Sequence, residues 1–213
     1  MVRRRLASVA LVAALAAAAS APDSDCPPLF DDTPEVAAGT YLVDTEWFGA
    51  PFLLTMPDGW TADTDFVTWG PHSSYVAWWT PTAAPLDSCS WKLAPMIPVA
   101  TAAELAAAMA DQERSLIGPP QPLTVGDATG VQFTVAANPF RGVDCDTGRQ
   151  VIWQNATAGD RRWFNGAHDT FTVWALDLPV GLRAFTIGSA APLLPDEHRE
   201  LLDVAESIEF VDG

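Results

Sequence analysis

This 213-residue chain has few side chains that could catalyse a reaction or bind a metal: three histidines, three cysteines and several groups of carboxylates. The histidines are His72, His168 and His198, which are far apart and lack the His-x-x-x-His spacing that binds zinc. The sequence also has no Gly-x-Ser-x-Gly nucleophile turn, no P-loop and no Gly-x-Gly-x-x-Gly dinucleotide motif. It therefore predicts no catalytic residue, no metal site and no cofactor.

Clustered carboxylates are suitable ligands for calcium. They occur at Asp31-Asp32, at Asp144 with Asp146, and at Asp58 with Asp63 and Asp65. The EF-hand spacing and its glycine at position six are absent, so solvated loops are the favoured interpretation. Paired carboxylates also serve glycosidases when they lie about 5 to 10 Å apart. A tryptophan-lined cleft holding such a pair would favour a hydrolase, whereas an apolar groove without one would favour a binding protein.

Aromatic side chains offer a second kind of site, because tryptophan rings stack on sugars and on aromatic ligands. The chain has nine tryptophans. Trp78 and Trp79 are neighbours in a predicted strand and must point to opposite faces of its sheet. We name Trp78, Trp79 and Trp163 as candidate residues of a ligand groove, with packing in the core as the alternative for each.

The first 21 residues predict export. Arg3, Arg4 and Arg5 precede an apolar run from Leu6 to Ala19, which ends in small residues. This is the pattern of a secretory signal peptide, and the run is shorter than a membrane span of about 20 residues. Residues 22–39 are rich in proline and acidic side chains and predict a flexible leader before a single domain at 40–213. The residues before Cys26 do not form a lipobox, so we expect no lipid anchor and no membrane insertion after cleavage.

Three cysteines in an exported protein allow one disulfide, with three possible pairings. We favour Cys89 with Cys145, because both lie in the patterned body whereas Cys26 lies in the leader. Three free thiols are the alternative. The formal charge is −16, which makes nucleic acid and anionic lipid poor partners, since binding them depends on Lys and Arg.

The order of the predicted elements is strands, helix, strands, helix. Strands are predicted at 40–48, 51–56, 65–69, 74–80, 129–137, 150–155, 170–178 and 182–189, from alternating or continuous apolar runs between turn residues. Thr101 and Glu104 form a capping box that opens a helix, whose apolar stripe runs to Leu116 and Ile117 before Gly118-Pro119-Pro120 ends it. A last helix begins near Pro195. This order predicts an α+β fold with a mostly antiparallel sheet and helices packed on it.

The pattern resembles the PsbP/Mog1-like α/β sandwich, and secreted proteins and lipoproteins of actinobacteria that share it. The segments that carry the resemblance are 41–60, with Pro57-Asp58-Gly59-Trp60 at its end, then 87–91, the helix from Thr101, 126–133, 173–177 and the closing helix. Those bacterial proteins have a cysteine near each of Cys89 and Cys145, which implies the same disulfide. The better-studied relatives of this fold are accessory and binding proteins rather than enzymes.

From these observations we expect an exported, non-catalytic protein that binds an envelope protein or a small ligand in a groove on its sheet. Two alternatives stay open: an extracellular hydrolase that acts on glycans through paired carboxylates, and an interaction protein without a pocket.

Overall fold

The computed structural model describes residues 26–29, 35–70, 74–137, 145–157, 160–164, 169–189 and 192–211. The predicted signal peptide, His72 and His168 lie outside the described residues. Neither helix in these ranges is long and apolar enough to cross a bilayer.

Antiparallel strands dominate the described residues, with two helices between them. The helices are α1 (Ala102–Ala110) and α2 (Pro195–Glu206). In chain order the strands are β1 (Glu35–Val36), β2 (Gly39–Val43), β3 (Phe52–Met56), β4 (Trp60–Asp63), β5 (Phe66–Trp69), β6 (Ser74–Trp79), β7 (Pro81–Pro85), β8 (Met96–Pro98), β9 (Ser115–Ile117), β10 (Gln121–Val125), β11 (Ala128–Ala137), β12 (Val151–Asn155), β13 (Arg161–Trp163), β14 (Thr170–Leu178), β15 (Gly181–Ser189) and β16 (Glu209–Phe210). This agrees with the predicted α+β class.

A central sheet forms the middle layer of the fold. Its strand order is β1-β4-β5-β6-β15-β14-β11-β10, and β9 also pairs with β11. One face packs against α2 and the small sheet β16-β3-β2, and we call it the α2 face. The other packs against α1 and the four-stranded sheet β13-β12-β7-β8, and we call it the α1 face. Each face therefore has its own apolar core.

Strand β14 shows why the central sheet is covered on both sides. Phe171 and Val173 are buried on the α1 face, and Trp174 and Leu176 are buried on the α2 face. A strand that is apolar on both faces must lie between two layers, and β14 lies inside the sheet between β15 and β11. The prediction of a central, doubly covered strand at 170–178 is confirmed.

Helix α1 begins as predicted but ends earlier. The Glu104 carboxylate accepts the Thr101 N–H at 3.1 Å, and the Thr101 hydroxyl accepts the Glu104 N–H at 3.2 Å. The helix ends at Ala110, and the segment that follows contains Arg114 in the left-handed region, with φ 69°. Leu116 and Ile117 then pair with β11 as part of β9, so their assignment to the helix is wrong. Pairing with an existing strand outweighs a weak helical periodicity there.

The described part of the predicted leader, 22–39, also differs from expectation. Leu29 and Val36 are buried in the core of the α2 face, with 4% and 7% of their surface exposed. Strand β1 pairs with β4, and the Leu29 amide donates to the carbonyl of Leu42 at 3.1 Å. Residues 26–29 and 35–39 therefore belong to the folded domain, which begins before residue 40.

Candidate functional site

Trp78 and Trp79 point to opposite faces of the central sheet, as the sequence predicts. Trp78 is fully buried on the α2 face, where its ring meets Phe52 edge to face at 5.5 Å. Trp79 is 8% exposed on the α1 face and donates its indole N–H to the Thr186 hydroxyl at 2.9 Å. Because both faces are covered, neither indole lines an open groove, and the groove prediction needs correcting for both. Trp163 is half-buried and packs against Trp91 at the surface.

A groove of about 620 Å³ lies on the α2 face, between the central sheet and the start of α2. We call it the sheet–helix groove. Hydroxyls of the sheet form one wall and apolar side chains form the other. Its lining comprises Thr134, Thr170, Phe171, Thr172, Ile187, Gly188, Ser189, Pro192, Leu193, His198, Leu201 and Leu202.

The strand register creates this groove. Thr134 of β11 is directly opposite Thr172 of β14, so both hydroxyl side chains lie on the same face of the sheet. Helix α2 packs on β6, β15 and β3 and leaves this part of β11 and β14 uncovered. The start of α2 is fixed by Glu197, whose carboxylate accepts a hydrogen bond from the Leu194 N–H at 2.8 Å. The groove is the gap left because the helix covers only part of the sheet.

The chemistry of the sheet–helix groove is neutral and amphipathic. Among its described lining residues there is no Asp, Glu, Lys or Arg, and His198 is the one titratable group. Leu193, Leu201 and Leu202 offer an apolar wall, while Thr134 and Thr172 offer hydroxyls that donate and accept hydrogen bonds. Small-molecule sites usually have this composition and enclose about 300 to 1,000 Å³.

A second groove, of about 710 Å³, lies on the other side of α2, against β2 and β3. Asp196, Glu200 and Asp203 line it and follow helical spacing, so they share one face of α2. The Trp60 indole N–H donates to the Glu200 carboxylate at 3.2 Å, but Trp60 is fully buried. Acidic side chains and an exposed tryptophan therefore do not meet in this groove. Among the described residues, no three His, Cys, Asp or Glu side chains are placed so that they could hold a metal ion together.

The disulfide joins Cys89 to Cys145, which are 4.3 Å apart at Cα. This is the predicted pairing, and Cys26 is a half-buried free thiol. The bridge connects the turn after β7 with the segment that leads into β12. Beside the bridge, the Asp146 N–H donates a hydrogen bond to the Cys89 carbonyl at 2.9 Å.

Sequence reasoning missed a buried polar cluster between the central sheet and β13. Arg162 is 6% exposed and donates to the Tyr75 hydroxyl at 2.6 Å, and its guanidinium lies 4.0 Å from the Asp169 carboxylate. The guanidinium also lies over the rings of Trp79 and Phe171, at 5.4 and 5.0 Å from their centroids. Burial raises the pKa of Tyr75 well above its usual value, so the phenol stays neutral. The cluster ties the four-stranded sheet to the α1 face.

An Arg-Arg-Trp strand carries a signal for this cluster. In β13 the middle residue must point opposite to its two neighbours, so Arg162 points inward when Arg161 and Trp163 point outward. The segment is only three residues long, which is too short for alternation to be recognised in the sequence.

Comparison of the chain with protein-family models, with curated proteins and with solved structures finds no match.

Proposed function

We propose that this chain is an exported, non-catalytic protein that binds a small amphipathic ligand in the sheet–helix groove. The observation that carries the proposal is the groove itself: about 620 Å³, a leucine wall on α2 and a hydroxyl wall on the sheet. A ligand with an apolar body and one polar edge would match both walls. Export is supported by the basic and apolar pattern of residues 3–21 and by the disulfide, since disulfides persist in oxidising compartments.

The layered arrangement is also the basis for proposing a PsbP/Mog1-like fold. A central antiparallel sheet with a helix on each face is compatible with that sandwich. The accessory and binding roles of that fold agree with a groove whose described lining has no pair of carboxylates, and the groove itself rather than the fold is the basis of the proposed function.

The hydrolase alternative requires two carboxylates beside the bound sugar. The sheet–helix groove has no carboxylate among its described lining residues. The second groove has carboxylates, but Trp60, the tryptophan next to Glu200, is buried and offers no ring surface to a sugar. These observations favour binding over glycan hydrolysis. The alternative of an interaction protein without a pocket is disfavoured, because the sheet–helix groove has a volume of about 620 Å³.

The test uses N-phenyl-1-naphthylamine, a neutral apolar probe with one N–H donor, whose fluorescence rises when it leaves water. We expect saturable binding to the purified protein. Thr134→Trp would fill the groove from the sheet side and should weaken binding at least tenfold, which equals about 1.4 kcal/mol. Thr124→Trp is the matched control, because Thr124 is exposed on neighbouring strand β10 and does not line the groove.

Equal loss of binding in both variants would place the probe elsewhere, and unchanged binding in Thr134→Trp would refute the groove as the site. Circular dichroism and thermal unfolding of both variants establish that each is folded before binding is compared.

A further inference from the structure

Arg183 is a half-buried arginine at the start of β15 whose hydrogen-bond partners are all uncharged. Its Nε–H donates to the carbonyl of Phe48, and its Nη1–H donates to the carbonyl of Leu182 at 2.9 Å. The guanidinium also lies over the Phe48 ring, 5.6 Å from the centroid. A guanidinium has five N–H donors, so three of them have no acceptor among the described residues. Hydrogen bonds to neutral carbonyls leave the positive charge of Arg183 in place.

No described carboxylate pairs with this guanidinium. The chain has 27 acidic and 11 basic residues, and two of its other arginines do form ion pairs: Arg114 with Asp87 at 3.4 Å, and Arg162 with Asp169 at 4.0 Å. For Arg183, burial alone lowers the pKa of the guanidinium, and no carboxylate acts against that shift. The charge of Arg183 is therefore uncompensated in a strongly acidic chain.

The acidic residues of the two loops beside Arg183 do not neutralise it. Asp177 belongs to the same β14–β15 hairpin, but its carboxylate accepts the Ala102 N–H at 2.7 Å, at the start of α1 on the opposite face of the sheet. Glu46 lies in the loop between β2 and β3, where it is exposed and forms no ion pair with Arg183. An anion that approaches the free N–H groups of Arg183 thus meets an unpaired cation.

Two glycine turns keep the guanidinium open to a ligand. Gly49 and Gly181 are both exposed, and their φ angles of 64° and 103° lie in the left-handed region. A Cβ atom at Gly49 would lie 3.5 Å from Nη2 of Arg183, and one at Gly181 would lie 3.8 Å from Nη1. A longer side chain at either position would cover these nitrogen atoms. We call Arg183 and the two turns, 48–49 and 181–182, the arginine niche.

We propose that the arginine niche binds the carboxylate of a small monocarboxylic acid. The fork of N–H groups on a guanidinium matches a carboxylate, which accepts two parallel hydrogen bonds from it. Val180, the residue before Gly181, is 52% exposed and offers an apolar contact to the rest of the acid. Arg183 and Ser189 of the sheet–helix groove lie at opposite ends of β15, about 20 Å apart at 3.3 Å per residue. The niche therefore does not depend on that groove.

The charge of the chain favours a ligand with a single negative charge. The formal charge of −16 repels every anion, and the repulsion grows with the charge of the ligand. A phosphate monoester carries about −1.5 to −2 near pH 7, whereas a carboxylate carries one charge. One guanidinium can neutralise a carboxylate but leaves part of the charge of a phosphate uncompensated. A monocarboxylic acid is therefore the better match.

The experiment titrates the isotope-labelled protein with three probes: hexanoate, hexanamide, which replaces the carboxylate with a neutral amide, and inorganic phosphate. The main-chain amide signals of Gly49 and Gly181 in NMR spectra report binding at the niche. We expect hexanoate to shift both signals saturably and to bind at least about tenfold more tightly than hexanamide, because the amide cannot form the charge-assisted pair. Phosphate should bind more weakly than hexanoate. Added salt should weaken the binding of hexanoate, since it screens exposed charges.

Gly49→Asp is the variant that locates the site. Aspartate tolerates the left-handed region, and its carboxylate would pair with Arg183 in place of the ligand. Hexanoate should then bind at least about tenfold more weakly, because the charge-assisted pair is already made. Gly126→Asp is the matched control: it adds the same charge at φ 57°, and a Cβ there has no described atom within 4 Å. It should bind hexanoate like the wild type.

Arg183→Gln removes the guanidinium and should abolish the binding of hexanoate. Circular dichroism establishes whether this variant is folded, since it also loses the hydrogen bond to the Phe48 carbonyl. Gly49→Asp keeps that arginine, so the test does not depend on the folding of Arg183→Gln.

Three results would overturn the proposal: no shift of the Gly49 and Gly181 signals with hexanoate, equal binding of hexanoate and hexanamide, or equal affinity of Gly49→Asp and Gly126→Asp for hexanoate. A fourth concerns the class of ligand. If phosphate binds more tightly than hexanoate and its binding is lost in Gly49→Asp, the niche recognises phosphate and the assignment to monocarboxylic acids is wrong.

Discussion

Removing the disulfide should cost this protein a large part of its stability. Cys89→Ser combined with Cys145→Ser opens a loop whose ends are 56 residues apart. In the chain-entropy model, closing a loop of that length restricts the unfolded chain by about 4 kcal/mol at 25 °C. The folded state has other links at the same place, since the Val151 amide donates to the Ser88 carbonyl at 2.8 Å. We therefore expect the native position of the turn to survive, and the cost to arise mainly in the unfolded state.

Urea unfolding followed by tryptophan fluorescence measures this cost. The double variant and the reduced wild-type protein should both lose about 4 kcal/mol relative to the oxidised wild type. In both forms the free energy of unfolding should fall more steeply with urea concentration than in the oxidised wild type, because an unfolded chain without the bridge is more expanded. Cys26→Ser is the control, and it should unfold like the wild type because Cys26 is not bonded.

Two outcomes would refute this reasoning. A loss below about 1 kcal/mol in both the variant and the reduced protein would mean that the bridge does not restrict the unfolded chain as the model requires. A large loss in Cys26→Ser would mean that Cys26 takes part in the bridge. Peptide mapping without reduction identifies the bonded pair independently of stability.

Two further substitutions test how the layers are held together. Arg162→Leu leaves the buried Asp169 carboxylate without its cation and should cost about 3–5 kcal/mol in urea unfolding, whereas adding Asp169→Leu should recover part of that loss; a fully additive double variant would contradict the pairing. Gly130→Ala would place a methyl group 1.9 Å from a carbonyl oxygen of β14 and should lower the free energy of unfolding by about 1–3 kcal/mol or more. The control Gly118→Ala, where the nearest neighbour of the added methyl group is 3.5 Å away, should lower it less, and equal losses of stability would contradict this account.

Local patterns were sufficient to predict the elements whose apolar residues are close in sequence. Strand β14 is apolar on both faces, and its position between two layers follows from that pattern alone. The capping box at Thr101 fixes the start of α1 within the same few residues. In both cases the evidence for the structure lies inside the element.

Predictions failed where distant segments decide the structure. Leu116 and Ile117 continue an apolar stripe, but pairing with Val135 and Ala136 of β11 makes them a strand. Val36 lies in an acidic, proline-containing segment, yet it packs into the core because β1 pairs with β4. Propensity within a segment contains no information about these partners.

The candidate sites were hidden from the sequence for the same reason. Alternation in β6 established that Trp78 and Trp79 face opposite ways, but only the two outer layers decide that both indoles are buried. The sheet–helix groove depends on the register that places Thr134 opposite Thr172. The environment of Trp163 depends on its contact with Trp91, which is 72 positions away in the sequence.

The chemistry of the sheet–helix groove follows from the two layers that supply its side chains. The α2 layer contributes leucines to one wall, and the described lining has no Asp, Glu, Lys or Arg, so the groove suits a ligand without a formal charge. The central sheet contributes the hydroxyls of Thr134 and Thr172 to the opposite wall. A ligand in this groove therefore contacts both layers, which is why filling the sheet wall at Thr134 should weaken binding even though the leucine wall is unchanged.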